Sequence, residues 1–241
     1  MFVGVSTDDA LCVGLFLHTC QMPNFRYLHG VHFATVPDLL KPLAGDFVWR
    51  IPTNNREVYI TFDDGPVAQV TPEVLKVLEH FSAPSSFFCL GKNVEAHAEL
   101  FQQVIDRGHT VGNHGYAHPN GWNTPTYTYL RDVLEGGKRV ESQFFRPPYG
   151  RITRAQANAL KQRYTLVMWD VLSGDYLPER SPERCLEALK RYTREGSIIV
   201  FHDSLKAARN VLTALPQYLE WLKSEEYLCK ALPSSSIPKK P

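Results

Sequence analysis

The chain has 241 residues, 44% of them hydrophobic, which is enough for one barrel-sized domain or two small ones around a proper core. Lys and Arg number 26 against 25 Asp and Glu, so no net field points to nucleic acid or an anionic membrane; a neutral or mixed substrate suits such a surface. No apolar run approaches the about 20 residues of a membrane span.

Residues 1–45 carry no clear period. Their short apolar stretch, Leu11 to Leu17, follows Asp8 and Asp9 and lacks a small-residue cleavage site, so no signal peptide is expected and the cytoplasm is the default compartment. Cys12, Cys20, Cys89, Cys185 and Cys229 are odd in number and show no paired metal spacing. Free or buried thiols in a reducing compartment follow. The organisation expected is a lead-in over 1–50, a catalytic domain over 51–230 and a solvated tail over 231–241, rich in Ser, Pro and Lys.

Between the ends, strand and helix alternate. Glu57–Phe62, Ser85–Leu90, Thr110–Asn113, Tyr164–Trp169 and Ser197–Phe201 read as short buried strands, rich in β-branched and aromatic residues. Thr71-Pro72 and Ser181-Pro182 each place a cap before a first-turn proline, and Thr153 to Gln156 spells a capping box. Val94, Ala98, Phe101 and Ile105 form one helical face closed by Gly108, and Gly196 closes a helix starting near Ser181. Gly136-Gly137 inside a helical stretch costs about 1 kcal/mol per glycine against alanine, with no visible reason in the sequence. Repeated β-α-β units imply a mostly parallel sheet, doubly wound or closed as a barrel. No glycine-rich nucleotide fingerprint follows the first strand.

The first strand ends in Thr61-Phe62-Asp63-Asp64-Gly65-Pro66. Two adjacent carboxylates repel each other unless a cation holds them. His114-Gly115-Tyr116-Ala117-His118 offers two imidazoles at i and i+4, so one Asp and two His make a metal set with open positions, leaving the other Asp free as a base. Asp63, Asp64, His114, Asp170 and His202 each follow a strand, and in a parallel α/β fold strand ends gather at one face. The reading from residues alone is a metal-dependent hydrolase.

These residues resemble carbohydrate esterase family 4, the NodB-homology polysaccharide deacetylases. Its five motifs are similar, in order, to Thr61 through Pro66, His114 through His118, Arg146-Pro147-Pro148-Tyr149-Gly150, Trp169-Asp170 through Asp175-Tyr176, and Val200-Phe201-His202. The resemblance implies an α/β fold, a distorted (β/α) barrel with irregular strands. It implies that Asp64, His114 and His118 bind a divalent ion, typically zinc, with cobalt or nickel as substitutes, which polarises the acetyl carbonyl and acidifies water. Asp63 would be the base, oriented by Arg146, and His202 the acid, held by Asp175. The Tyr149 backbone N–H would stabilise the oxyanion.

Tyr149, Trp169, Val200 and Trp122, the last in the loop Pro119–Tyr127, would contact the substrate. That substrate would be an N-acetylated glycan, chitin-like or peptidoglycan, from which the enzyme removes N-acetyl groups. An O-acetyl esterase on acetylated xylan and a non-catalytic carbohydrate-binding protein are the alternatives. The family often acts at the cell envelope or outside. Gly115 stands where Ser or Thr is usual, which would loosen the loop carrying His118; Tyr176 replaces a Trp and Val200 a Leu. His18, His29, His32, His80, His97 and His109 show no partner spacing and are assigned to surface or packing.

Overall fold

The computed structural model describes residues 45–233 together with Thr35, Asp38 and Lys41. The rest of the lead-in, with Cys12, Cys20, His18, His29 and His32, and the tail beyond Pro233 lie outside the described residues. Strand β1 (Glu57–Asp63) is central and shows why the site forms where it does. Its side chains alternate: Val58, Ile60 and Phe62 join the layer that packs on the helices, while Tyr59, Thr61 and Asp63 turn into the curl of the sheet. Both faces are covered, so the strand is apolar almost throughout, as buried parallel strands are.

Beside β1 lie β2 (Ser86–Cys89), β3 (Thr110–Asn113), β4 (Phe144–Phe145) and β5 (Thr165–Leu166) on one flank, and β7 (Ile198–His202) and β6 (Val171–Leu172) on the other. A short β8 (Leu228–Cys229) pairs with the start of β1, and every pairing is parallel. An extended segment fills the gap between β5 and β7. The Val48 N–H donates to Leu166, Met168 returns a bond to the Val48 carbonyl, and the Ile51 N–H reaches Gly196. The result is the expected distorted (β/α) barrel.

Helices α1 (Thr71–His80), α2 (Gly91–Ala96), α3 (Ala98–Asp106), α4 (Thr126–Arg139), α5 (Arg154–Leu160), α6 (Pro182–Tyr192) and α7 (Ala208–Ser224) cover the sheet. Val74, Leu75 and Leu78 of α1 and Val211, Leu215 and Tyr218 of α7 bury against β1, β2 and β7. Burial of this kind is worth roughly 2 kcal/mol per large apolar side chain and is the main term holding the barrel together. No helix among the described residues is long and apolar enough to cross a membrane.

Several local expectations change. The single helical face from Val94 to Ile105 is two helices broken at His97 (φ −136°, ψ 50°), with Leu100 and Val104 buried and Ile105 39% exposed. At its other end α2 is seated on the loop after β3, where the Gly91 and Lys92 N–H groups bond the carbonyls of Gly115 and Tyr116. Thr71 is inside the first turn of α1 and caps nothing there; its hydroxyl accepts from the Val67 N–H and donates to Asp203 at 2.6 Å. Thr153 does form a capping box and Ser181 caps α6, but α6 ends at Tyr192, before Gly196. Only Thr165–Leu166 of the expected strand Tyr164–Trp169 is regular. Cys89, Cys185 and Cys229 are free thiols.

The glycine pair in α4 now has a reason. A Cβ on Gly136 would come within 2.5 Å of the Gly115 backbone and 2.7 Å of Asn113 Oδ1, and one on Gly137 within 2.4 Å of the Tyr164 hydroxyl. The helix must lie directly on the loop after β3, and only glycine lets it.

Candidate metal centre and active site

Strand register brings the acidic and basic groups together. Asp63 closes β1, and its neighbour in the parallel ladder is His202, the last residue of β7. Both therefore project from adjacent strands at the carboxyl end of the sheet, about 5 Å apart in the hydrogen-bonding direction. Asp63 is buried, and its Oδ1 accepts a 2.6 Å hydrogen bond from Arg146 Nη1. Arg146 is fully enclosed. It also donates to the Thr61 hydroxyl and to the Val167 and Met168 carbonyls, with its guanidinium 4.0 Å over the Phe88 ring. A guanidinium this well used can remain charged in the interior, despite burial that lowers its pKa.

Asp64 breaks from the strand. Its φ of +82° turns the carboxylate away from Asp63 and towards the loop after β3. There one ligand atom each from Asp64, His114 and His118 lies within 4.8 Å of the others. His114 is buried, and burial lowers its pKa to about 4, so the imidazole is neutral. Its Nδ1–H donates to the Arg146 carbonyl at 2.8 Å, which leaves the Nε2 lone pair facing Asp64 at 3.7 Å. His118 Nε2 is 3.2 Å from the same carboxylate oxygen. Burial would raise the Asp64 pKa, but the imidazoles of His118, His202 and His114 outweigh it and hold the carboxyl below its usual range. Asp64 Oδ1 is nonetheless buried without a satisfactory hydrogen bond. A buried anionic oxygen flanked by two imidazole nitrogens fits a divalent cation, and three donors leave positions open for water and substrate.

His202 has its own support. Asp175, fully buried, takes the imidazole Nδ1–H at 2.7 Å and the His202 backbone N–H at 2.8 Å. Burial lowers the His202 pKa, but the charge and hydrogen bond of Asp175, then Asp64 and Asp63, override it and raise it to about 9. The ring is therefore protonated at neutral pH. A carboxylate held by an arginine and an imidazolium held by a carboxylate thus flank the candidate metal site.

A family profile described as polysaccharide deacetylase matches residues 50–166. The chain is 31% identical over 192 residues to a peptidoglycan-N-acetylglucosamine deacetylase of Bacillus cereus, covering 76% of this chain and 90% of that protein. The chain belongs to the polysaccharide deacetylase family. A chitooligosaccharide deacetylase of a Bradyrhizobium strain is 31% identical, over 63% of this chain and 72% of that relative. Among solved structures, a peptidoglycan N-acetylglucosamine deacetylase in complex with 4-naphthalen-1-yl-N-oxidanyl-benzamide superposes with a TM-score of 0.76 at 26% identity. The match spans 84% of this chain and 99% of that one.

The other residues expected in a polysaccharide deacetylase site lie around this centre. Tyr149 sits at φ +58° in the one-turn helix Pro148–Gly150, closed by bonds from the Gly150 and Arg151 N–H groups to the Pro147 and Pro148 carbonyls. The Tyr149 ring packs edge-on to His118 at 4.4 Å, with most of it exposed. Val200 is buried two residues before His202 and so lies one layer beneath it on the same face. Tyr176 stands edge-on to His202 at 4.7 Å. Trp169 is half-buried against Gly150, where a Cβ would meet its ring at 2.6 Å; Trp122 is exposed on the neighbouring loop.

Asp170 is the exception. It does not reach the catalytic face, because its N–H bonds Ile198 at the opposite end of β7. Its carboxylate is taken there by Lys41, Arg194 and the Ser197 hydroxyl. The expectation counted it as following a strand, but it stands at the start of β6.

Three supporting residues escaped the sequence reading. Asp132 on α4 accepts from the Tyr116 and Ala117 N–H groups, pinning the loop between His114 and His118. Gly115 does not loosen that loop: at φ +82°, with Asp132 Oδ1 2.7 Å from where a Cβ would sit, it is what lets the loop close on Asp132. Asn93 donates to the Asp64 carbonyl at 2.6 Å. Asp203 is fully buried behind the Asp64–Gly65 turn, with its pKa raised to about 7, chiefly by burial. Its position directly after a strand-end histidine was the available signal.

Proposed function

We propose that this chain is a metal-dependent hydrolase that removes N-acetyl groups from N-acetylglucosamine units of a chitin-like or peptidoglycan glycan. The observation that carries the reading is the meeting of three parts across β1, β3 and β7. These are the Asp64, His114 and His118 donor set, Asp63 held by Arg146, and His202 held by Asp175. The relatives named above act on such glycans, which supports the same substrate class here.

One carboxylate and two imidazoles suit zinc, with cobalt or nickel able to substitute, and the ion when bound supplies Lewis acidity towards the acetyl carbonyl and water. Asp63 takes the proton of the attacking water, and Arg146 keeps that carboxylate aimed. The Tyr149 N–H, fixed in its turn, donates to the oxyanion as the carbonyl carbon becomes tetrahedral; such a donor is commonly worth about 3 kcal/mol. His202 then passes its proton to the departing amine, which leaves poorly without it, and Asp175 stabilises the imidazolium until that moment. Val200 lies beneath His202 where the acetyl methyl would rest, with Tyr149, Trp169 and Trp122 bounding the sugar.

The test is acetate release from N-acetylglucosamine oligomers by chelator-stripped protein, with and without added zinc or cobalt. Release restored by metal is the expected result; no release in either state removes this substrate class.

A further inference from the structure

Arg151 follows the turn that carries Tyr149, and its guanidinium lies 5.1 Å over the ring of Trp122. Some arginines here are tied to a carboxylate. Arg56 meets Glu225, Arg139 meets Glu95, Arg146 meets Asp63 and Arg194 meets Asp170. Arg151 forms no ion pair among the described residues and is half-exposed.

It is nonetheless held in place. Its N–H bonds Pro148, its carbonyl lies 2.4 Å from where a Cβ on Gly121 would sit, and Gln156 ties the 121–124 loop down by bonds to Gly121 and Thr124. The Trp122 loop is thus seated on the Arg151 backbone. On its other side the guanidinium is close enough for its charge to lower the pKa of Tyr176, against burial and Asp175, which raise it. Tyr176 in turn touches His202. The cation therefore stands on the rim of the catalytic face, between an aromatic ring 46% exposed and the residues around the proposed acid.

We propose that Arg151 and Trp122 form a subsite for a carboxylate-bearing sugar next to the N-acetylated unit, such as a hexosamine carrying a 3-O-lactyl group. The inference rests on the reading of the chain as a glycan deacetylase and names the acidic glycan within it. A guanidinium offers a planar fork of donors that matches a carboxylate, and stacking on the indole limits the side-chain entropy lost on binding. The exposed part of the indole offers an apolar surface to the sugar face. A neutral oligomer would use the ring and not the charge.

Calorimetry on zinc-loaded Asp63→Asn protein, which keeps glycans intact, tests this with three tetrasaccharides. One alternates N-acetylglucosamine with its 3-O-lactyl counterpart, the second is the methyl ester of that glycan, and the third is chitotetraose. The acid should bind about tenfold tighter than its ester at low salt, the scale of one hydrogen-bonded charge pair. Arg151→Gln in the same background should remove that preference, and Arg151→Lys should keep part of it. Equal binding of acid and ester, including no binding of any glycan, overturns the proposal, as does a preference that survives Arg151→Gln. If the acid preference holds while wild-type metal-loaded protein releases no acetate from any of the three, the deacetylase reading fails and the subsite stands.

Discussion

Arg146 and Asp63 form an ion pair at 2.6 Å in which the arginine side chain has no access to solvent. Removing one partner of such a pair leaves a buried charge uncompensated. Arg146→Met should therefore destabilise the fold by about 3–5 kcal/mol, read by denaturant unfolding. Arg146→Lys keeps the charge but cannot hold Asp63, Thr61 and two carbonyls together. It should lower kcat by about 100-fold while zinc affinity changes little. An unchanged kcat in Arg146→Lys would show that aiming Asp63 is not its task.

The raised His202 pKa has a sign that can be checked. Its folded value, about 9, lies above the usual 6.5, so the charged ring stabilises the fold. That contribution, on the order of 3 kcal/mol, is fully present below about pH 6.5 and is lost as pH rises through 9. Asp175→Asn removes the largest favourable charge and leaves only Asp64 and Asp63 to oppose burial, so the imidazole should titrate below 9 in a proton-resonance titration. The alkaline limb of the kcat profile should move down with it.

His202→Ala separates amide from ester chemistry. An amine needs a proton to leave and an alcohol needs it less. Loss of the acid should cost about 10²–10⁴-fold on N-acetyl substrates and clearly less on an O-acetyl ester. Equal loss on both would argue against His202 as the acid to the leaving group.

Metal removal should show in stability as well as rate. Zinc at 1,000 times its dissociation constant adds about 4 kcal/mol by mass action, so chelation should lower the melting temperature by several degrees. His118→Ala should abolish most of that zinc-dependent shift. His118 is at the edge of the site, where it meets Asp64 and the rings of His114 and Tyr149 without being fully buried, so the metal-free melting point of the variant should stay close to that of metal-free wild type.

Much of this architecture was legible because single residues reported on it. β1 and β7 announce themselves through apolar runs ending in Asp63 and His202, and Thr153 caps its helix as the spacing requires. The two-residue strands β4, β6 and β8 were not legible, since two residues carry no period and pair only because neighbours present edges. Asp170 was misplaced for a related reason: without β6, the chain gives no sign that the sheet has been re-entered from its other end. The break at His97 interrupts an apolar face that runs on unbroken in sequence, so the spacing of Val94, Ala98, Phe101 and Ile105 gave no sign of it.

Gly136 gives the sharpest test of how the metal loop is supported. Replacing a helical glycine by alanine ordinarily gains up to about 1 kcal/mol. Here the added methyl would meet the Gly115 carbonyl carbon at 2.5 Å and Asn113 Oδ1 at 2.7 Å, neither of which is a flexible side-chain end. Asn113 is itself buried and fixed by bonds to Val133, Tyr164 and the Gly115 N–H. Either α4 moves off the loop, taking Asp132 from the Tyr116 and Ala117 N–H groups, or the loop shifts and carries His114 and His118 with it. Gly136→Ala should therefore cost about 1–3 kcal/mol in unfolding free energy and also weaken zinc binding. A variant with wild-type zinc affinity and raised stability would show that the helix can retreat without disturbing the ligands.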